Sequence, residues 1–484
     1  MGILSGLRPK RVFEIFELLC SVPHGSGNTK QISDLIVGFA KGLSLEVTQD
    51  GFNNVIIKKP GSKGFENAPP VILQGHMDMV CVKTPECDLD LKKDGLRVRT
   101  DGEWVWAEGT SLGGDDGIAV AISLAVLEDD SIIHPPLEVL ITVDEETSLE
   151  GAKNVDLKGL KGRRLLNLDS EEEGVFTVSC AGGLGCGCKL AVSGISPENG
   201  KYYNVKISGL TGGHSGAEIH RQRGNANKLL ARFLLKANRE LGLLLEDFRG
   251  GDFDNVIPKT AEASVWLPDE HADDFERLAG EYEKIYKAEL GFTDPGLLLT
   301  VTPKADLGKT ADPECTKAAL TCLFATPDGV QAMSNEVPGL VQTSLNLGVI
   351  RMDENTLTFN FSIRSSKSTE KRAVFEKVRA IVEAAGGRAE ILSEYPAWEF
   401  VRESKVREAA LKAYNNVYGG EARVAGIHAG LECGILAEKL PGLDAISFGP
   451  DLRDIHSVNE RLGVASTERL YRLVTELLKI LTEE

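Results

Sequence analysis

The sequence predicts an α/β fold: a discontinuous domain with a mainly parallel central sheet, interrupted by an inserted α/β domain. Three observations predict it. Before Asp169, short apolar runs of strand length alternate with stretches of helical periodicity, the rhythm of a layered α/β domain. The chain has 484 residues, more than one hydrophobic core ordinarily serves. Acid and histidine motifs stand between Gln74 and Ser170, and the last of the set comes only at Asp454-Ile455-His456-Ser457. For these motifs to meet, the stretch between them has to be an insertion.

The elements follow in order. Val12, Phe13, Ile15, Phe16, Leu18 and Leu19 share helical spacing, and Pro23-His24-Gly25-Ser26-Gly27 breaks the chain after them. Asn28 or Thr29 can cap a second helix that runs through Leu43. Leu45 to Thr48, Asn54 to Lys58 and Val71 to Gln74 read as strands, Ile118 to Leu127 as a buried helix, and Leu137 to Val143 and Arg164 to Leu168 as buried strands. Ala181-Gly182-Gly183-Leu184-Gly185 reads as a glycine-rich joint. From about Tyr202 to Gly387 strands and helices continue with few metal-type residues. Ala409 to Val417, Ala445 to Phe448 and Leu470 to Leu481 then resume the first rhythm. The expected domains are residues 1–183 and 386–484, forming one catalytic domain, and 184–385, forming an inserted lid. In parallel sheets ligands bind beyond the carboxyl ends of the strands, which is where these motifs stand.

Composition narrows the function. The net charge of −18 argues against nucleic acid as the main partner and favours solubility. Nine cysteines without a paired CxxC pattern suggest structural thiols in a reducing compartment, including the cluster Cys180, Cys186 and Cys188. The sequence shows no secretory h-region before Arg8, and its best apolar run, Ile118 to Leu127, is too short to cross a bilayer. A cytoplasmic protein without a membrane partner is expected.

The chemistry lies in Gln74-Gly75-His76-Met77-Asp78, Gly113-Gly114-Asp115-Asp116-Gly117, Thr142-Val143-Asp144-Glu145-Glu146-Thr147, Asn167-Leu168-Asp169-Ser170 and Asp454-Ile455-His456-Ser457. Each has an ordinary explanation alone. Asp115 and Asp116 could cap a helix, and adjacent acids at Asp144 to Glu146 could face solvent. Jointly they supply imidazole and carboxylate groups suited to divalent ions, with Glu145 available as a base. A metal-bound imidazole usually donates its second N–H to a carboxylate, and Asp78 is the candidate for His76. This is the equipment of a metal-activated hydrolase.

With these motifs the chain resembles the M20 clan of dinuclear zinc peptidases, and within it the aminoacyl-histidine dipeptidases, also called Xaa-His or cytosol non-specific dipeptidases. Further motifs carry the resemblance: Gly212-Gly213-His214-Ser215-Gly216, His428-Ala429-Gly430-Leu431-Glu432-Cys433-Gly434 and Ser447-Phe448-Gly449-Pro450. One departure is Ser148, where many relatives carry glycine. The resemblance implies that His76 and Asp169 ligate one ion, Glu146 and His456 the other, and Asp115 both. Asp78 would orient His76, and Glu145 would be the general base acting on a metal-bridged water. His214 would donate to the oxyanion. Arg364 would clamp the substrate carboxylate, with Asn255 and Gly430 in the same pocket. It also implies a cis Asp115-Asp116 bond and a dipeptide substrate, with a homodimer among the arrangements. The inserted domain looks large enough for His214 to act within one chain. Oxygen and nitrogen ligands suit zinc and also admit manganese or cobalt. Two other readings stay open: a serine hydrolase using Ser215 in Gly213-His214-Ser215-Gly216-Ala217, and a non-catalytic peptide-binding protein of the same fold.

Overall fold

The computed structural model describes residues 2–305 and 308–483. The chain divides into two compact units: Met1–Ser179 with Phe400–Gly426 and Leu431–Glu484, and Cys180–Glu399 with Ile427–Gly430. The first unit is therefore discontinuous in sequence. None of the described helices is long and apolar enough to cross a membrane.

The first unit is built from α1 (Lys10–Cys20), α2 (Lys30–Gly42), β1 (Glu46–Gln49), β2 (Val55–Lys59), β3 (Val71–His76), α3 (Gly114–Glu128), β4 (Leu137–Thr142), β5 (Arg164–Asn167), β6 (Val175–Cys180), α4 (Lys405–Tyr418), β7 (Arg423–Ile427), α5 (Glu432–Lys439), β8 (Asp444–Ser447) and α6 (Val464–Ile480). Its eight-stranded sheet has the order β1-β2-β4-β3-β5-β8-β6-β7. The middle four, β4, β3, β5 and β8, are parallel; β1, β2 and β6 pair antiparallel. Every residue of β3 and β4 is buried, as expected for parallel strands covered on both faces. Helix α3 is apolar nearly all round and buried from Gly117 to Leu127, packed against α1 and β3. Each fully buried Ile, Val or Leu there stabilises the unit by about 1.5–3 kcal/mol. The sheet thus holds the carboxyl ends of β3, β4 and β5 side by side, directly before the His76, Glu145 and Asp169 motifs.

The second unit is a nine-stranded antiparallel sheet. Its path runs through Leu298–Lys304, Gly200–Ser208, Ala261–Pro268, Leu244–Gly250, Val341–Met352, Thr356–Ser365, Gly182–Ala191 and Arg388–Tyr395, with Gly329–Met333 paired to Val341–Met352. Helices Ala226–Leu241, Ala272–Leu290, Pro313–Ala325 and Ser368–Ala384 close its core. The glycine-rich joint expected at residues 181–185 is instead the start of the long strand Gly182–Ala191. Its residues alternate. Leu184, Cys186, Cys188 and Leu190 face the core, while Gly183, Gly185 and Gly187 abut Tyr395, Ser393 and Leu392 of the neighbouring strand. A Cβ on Gly183 would lie 2.2 Å from the Tyr395 ring. Glycine is required there by close approach, not by a turn. Cys180, Cys186 and Cys188 are buried, and the Sγ atoms of Cys186 and Cys188 lie 3.7 Å apart, well beyond a disulfide bond.

Candidate metal centre

Seven of the sequence-predicted site residues belong to the first unit: His76, Asp78, Asp115, Glu145, Glu146, Asp169 and His456. Five of them converge. His76 Nε2 lies 3.3 Å from Asp115 Oδ1 and 3.6 Å from Asp169 Oδ1. His456 Nε2 lies 3.3 Å from Asp115 Oδ2 and 2.9 Å from Glu146 Oε2. Asp115 therefore turns one oxygen to each imidazole. The Asp115-Asp116 peptide bond is cis. His76, Asp115 and Glu146 form one group whose donor atoms could hold an ion, and His76, Asp116 and Asp169 form another. Asp116 was not among the expected ligands. It is 1% exposed, its Oδ2 accepts from the His76 amide, and a Cβ on Gly75 would come within 2.4 Å of that oxygen.

The second face of His76 is set by Asp78. His76 Nδ1 is 3.0 Å from the Asp78 carbonyl and 3.4 Å from its carboxylate. That carboxylate also accepts from Ser26 Oγ and from the Glu145 amide, so it ties the imidazole to the segment carrying Glu145. Asp144, which begins that segment, has φ 56° and accepts from the Gly27 amide.

The electrostatics are those of a site short of positive charge. Burial pushes Asp169 up to about 7, with Asp115 and Glu432 adding to it against the pull of His76. Burial also raises Glu145 well above the carboxylate range, reinforced by Asp169, Glu432 and Glu146. His456 is pushed up to about 10 by hydrogen bonds to Asp115 and Glu146. Burial works against protonated His76, yet Asp115, Asp169 and Asp78 outweigh it and raise its pKa. Crowded carboxylates of this kind hold protons on the imidazoles unless cations take their place. The nitrogen and oxygen donors fit divalent ions of the zinc, manganese or cobalt kind.

Beneath the cluster runs a buried polar layer absent from the sequence reading. Asn167 Nδ2 donates to Gln74 Oε1 at 2.6 Å, and Gln74 Nε2 donates to Glu432 Oε2 at 2.6 Å. Thr142 Oγ1 also donates to Glu432 Oε2, at 2.6 Å. Asn167, Gln74 and Thr142 sit on the adjacent strands β5, β3 and β4, so the layer ties together the strand ends that carry the motifs. Glu432 is 0% exposed, and its Oε1 has no partner among the described residues. Burial pushes it from 4.5 up to about 7. Between these values an unfolded chain ionises while the folded one keeps its proton, so stability falls as pH rises through the window. The shift corresponds to about 3 kcal/mol. In chelator-treated protein, Glu432→Gln is expected to flatten this pH 4.5–7 slope, measured by urea unfolding at both ends.

Glu460 has a comparable task. Its carboxylate, 3% exposed, accepts from the amides of Leu112, Gly113, Gly114 and Asp115 at 2.7, 3.2, 2.8 and 3.4 Å. This clamp holds the loop that presents Asp115, where Gly113 has φ 68°. Glu460→Ala is expected to cost about 1–3 kcal/mol for each buried amide left unpaired. Denaturant unfolding at neutral pH checks it. A carboxylate bonded to amides so far away in sequence leaves no local pattern to read.

The other predicted residues, His214, Asn255, Arg364 and Gly430, belong to the second unit. The Ala217 amide donates to His214 Nδ1 at 3.0 Å, which assigns the remaining ring proton to Nε2. Burial lowers the His214 pKa, with Arg364 adding to it. A Cβ placed on Gly216 would lie 2.9 Å from His214 Cε1 and 3.1 Å from Arg364 Nε, so the two side chains border one spot. Asn255 is exposed, and its carbonyl accepts from the Ser215 amide at 2.9 Å. Ser215 is 2% exposed and its Oγ has no partner among the described residues. With His214 Nδ1 already engaged by a backbone amide and no base bonded to Ser215 Oγ, the serine-nucleophile arrangement lacks its central contact.

The description Peptidase family M20/M25/M40 matches residues 72–480. The chain is 38% identical over 480 residues to the cytosol non-specific dipeptidase of Escherichia coli strain K12, covering 99% of each. It is 37% identical to the crystal structure of aminoacylhistidine dipeptidase from Vibrio alginolyticus, with a TM-score of 0.93 over 99% of this chain and 98% of that one. The Bacillus cereus aminopeptidase PepT shares the fold at 16% identity, with a TM-score of 0.57 over 98% and 99% of the two chains.

Proposed function

The chain belongs to the M20 peptidase family, and from that premise we propose that it is a metal-dependent dipeptidase that hydrolyses the peptide bond of dipeptides, with Xaa-His among them. The observation that carries the reading is Asp115, whose two carboxylate oxygens each face an imidazole, His76 on one side and His456 on the other. Two divalent ions, zinc foremost and manganese or cobalt as substitutes, would be held by His76 and Asp169, by Glu146 and His456, and by Asp115 in common. When bound they polarise the scissile carbonyl and lower the pKa of a water.

The protein's own groups do the rest. Glu145 takes the proton of the attacking water and returns it to the leaving amine; burial raises its pKa, which makes the carboxylate a stronger base. Asp78 keeps His76 in one orientation through Nδ1. His214 Nε2–H is a neutral donor suited to the developing oxyanion. The guanidinium of Arg364, 8% exposed, is suited to a free carboxylate. The setting proposed is the cytoplasm, in keeping with unpaired thiols such as Cys20, Cys186, Cys188 and Cys322.

The test is a panel of Xaa-His, β-alanyl-His and other dipeptides with metal-reconstituted protein, before and after chelation. Turnover that survives complete metal removal, or none on any dipeptide, sinks the reading.

A further inference from the structure

Arg364 lies in a setting that calls for an anion. Among the described residues it makes no ion pair, and its Nε is buried without a partner. Its side-chain hydrogen bond runs from Nη1 to the hydroxyl of Tyr395 at 2.9 Å. His214 and His428 both feel its charge and are held toward the neutral form by burial and by the guanidinium itself, and the Tyr395 phenol, which feels it too, also feels Asp254 through space. A buried cation with no carboxylate in direct contact is costly unless an anion joins it.

Tyr395 is built in beside it with care for position. The ring end that carries the hydroxyl is flanked by two glycines. A Cβ on Gly183 would lie 2.4 Å from Cζ and 2.6 Å from the hydroxyl oxygen; a Cβ on Gly430 would lie 2.8 Å from Cε2 and 3.3 Å from that oxygen. The backbone is pinned too: Lys371, 2% exposed, donates from Nζ to the Tyr395 carbonyl at 2.7 Å. Since the hydroxyl oxygen accepts from Arg364, its own proton points elsewhere, and it donates to no acceptor among the described residues. The pair therefore offers an unused guanidinium N–H and an unused phenol O–H from neighbouring positions.

We propose that Tyr395 is a substrate-binding residue whose hydroxyl donates to the same free carboxylate that Arg364 grips, and that Gly183 and Gly430 act by admitting its ring. This rests on the carboxylate-clamp reading of Arg364. It also changes the part assigned to Gly430, from a lining residue to one that leaves space for the phenol. The substrate class follows: peptides whose cleaved C-terminal residue has a free α-carboxylate, in preference to their amides.

The experiment uses zinc-loaded full-length protein and compares a dipeptide with its C-terminal amide for the wild type, Tyr395→Phe, Gly430→Ala and Arg364→Lys. Tyr395→Phe keeps the ring and removes one hydrogen bond to a charged group, worth about 10- to 100-fold. That loss is expected in the KM of the free acid, with kcat held and the amide hardly affected. The inhibition constant of the released amino acid should rise in parallel, a readout that remains even if the amide is not cleaved. Gly430→Ala, which displaces the ring without touching the hydroxyl, should show the same signature. Equal effects of Tyr395→Phe on acid and amide, or an effect on neither, overturn the inference. If Arg364→Lys loses the preference for the acid and Tyr395→Phe does not, the clamp stands and Tyr395 falls. If the wild type treats acid and amide alike, the clamp reading fails and takes this inference with it.

Discussion

Glu145→Gln is expected to retain its metal and to lose about 10²–10⁴-fold in kcat, the range of a general acid–base contribution. The amide keeps the size and most of the hydrogen-bonding capacity of the side chain, but it can neither take nor return a proton. The environment of Glu145 makes the substitution tolerable. Its raised pKa reflects burial beside Asp169, Glu432 and Glu146, so the metal-free protein already favours a neutral side chain at this position. Metal content by elemental analysis, thermal stability and dipeptide turnover should therefore separate cleanly. Near-wild-type turnover would remove Glu145 from the mechanism. Loss of metal together with turnover would instead give it a ligand's role.

Asp115→Asn is expected to be comparably severe for a different reason. The carboxylate lies 12% exposed with one oxygen near His76 and the other near His456. Burial works to raise its pKa, yet hydrogen bonds from both imidazoles pull it down. An amide presents one oxygen and one NH2, so one of the two imidazoles would face a donor. On the proposed arrangement the variant can no longer hold both ions. Losing several kcal/mol of charge stabilisation corresponds to on the order of 10³-fold in rate. Chelation of the wild type should reproduce the loss, and added zinc should restore the wild type alone. A variant that binds the same amount of metal as the parent and turns over normally would exclude Asp115 as a shared ligand.

How far these residues can be read in the sequence depends on where they stand. His76, Glu146 and Asp169 each end a buried apolar run, and Asp115 follows two glycines, so their convergence is legible from the alternation of strands and helices. The buried helix at Ile118 to Leu127 is legible from its unbroken apolar content. Asp116 is hidden because it shares a motif with Asp115, and only the backbone decides which of two adjacent carboxylates points where. Glu432 and Glu460 are hidden because their partners are Gln74, Thr142 and the 112–115 loop, hundreds of residues away. The strand Gly182–Ala191 looks like a joint because glycine is rare in strands. The period-two alternation of Gly183, Gly185 and Gly187 with Leu184, Cys186 and Cys188 is the signal that marks it as a strand.

The Glu460 clamp also bears on the order in which the protein is made. Leu112 to Asp115 emerge from the ribosome more than 300 residues before the carboxylate at residue 460 that organises their amides, and His456 lies just before it. A growing chain thus displays its first acids long before it acquires the second imidazole or the clamp. On the reading above, the nascent polypeptide stays inert toward peptides until residues 456 and 460 have been made, and a product terminated before residue 456 has no active fragment to release.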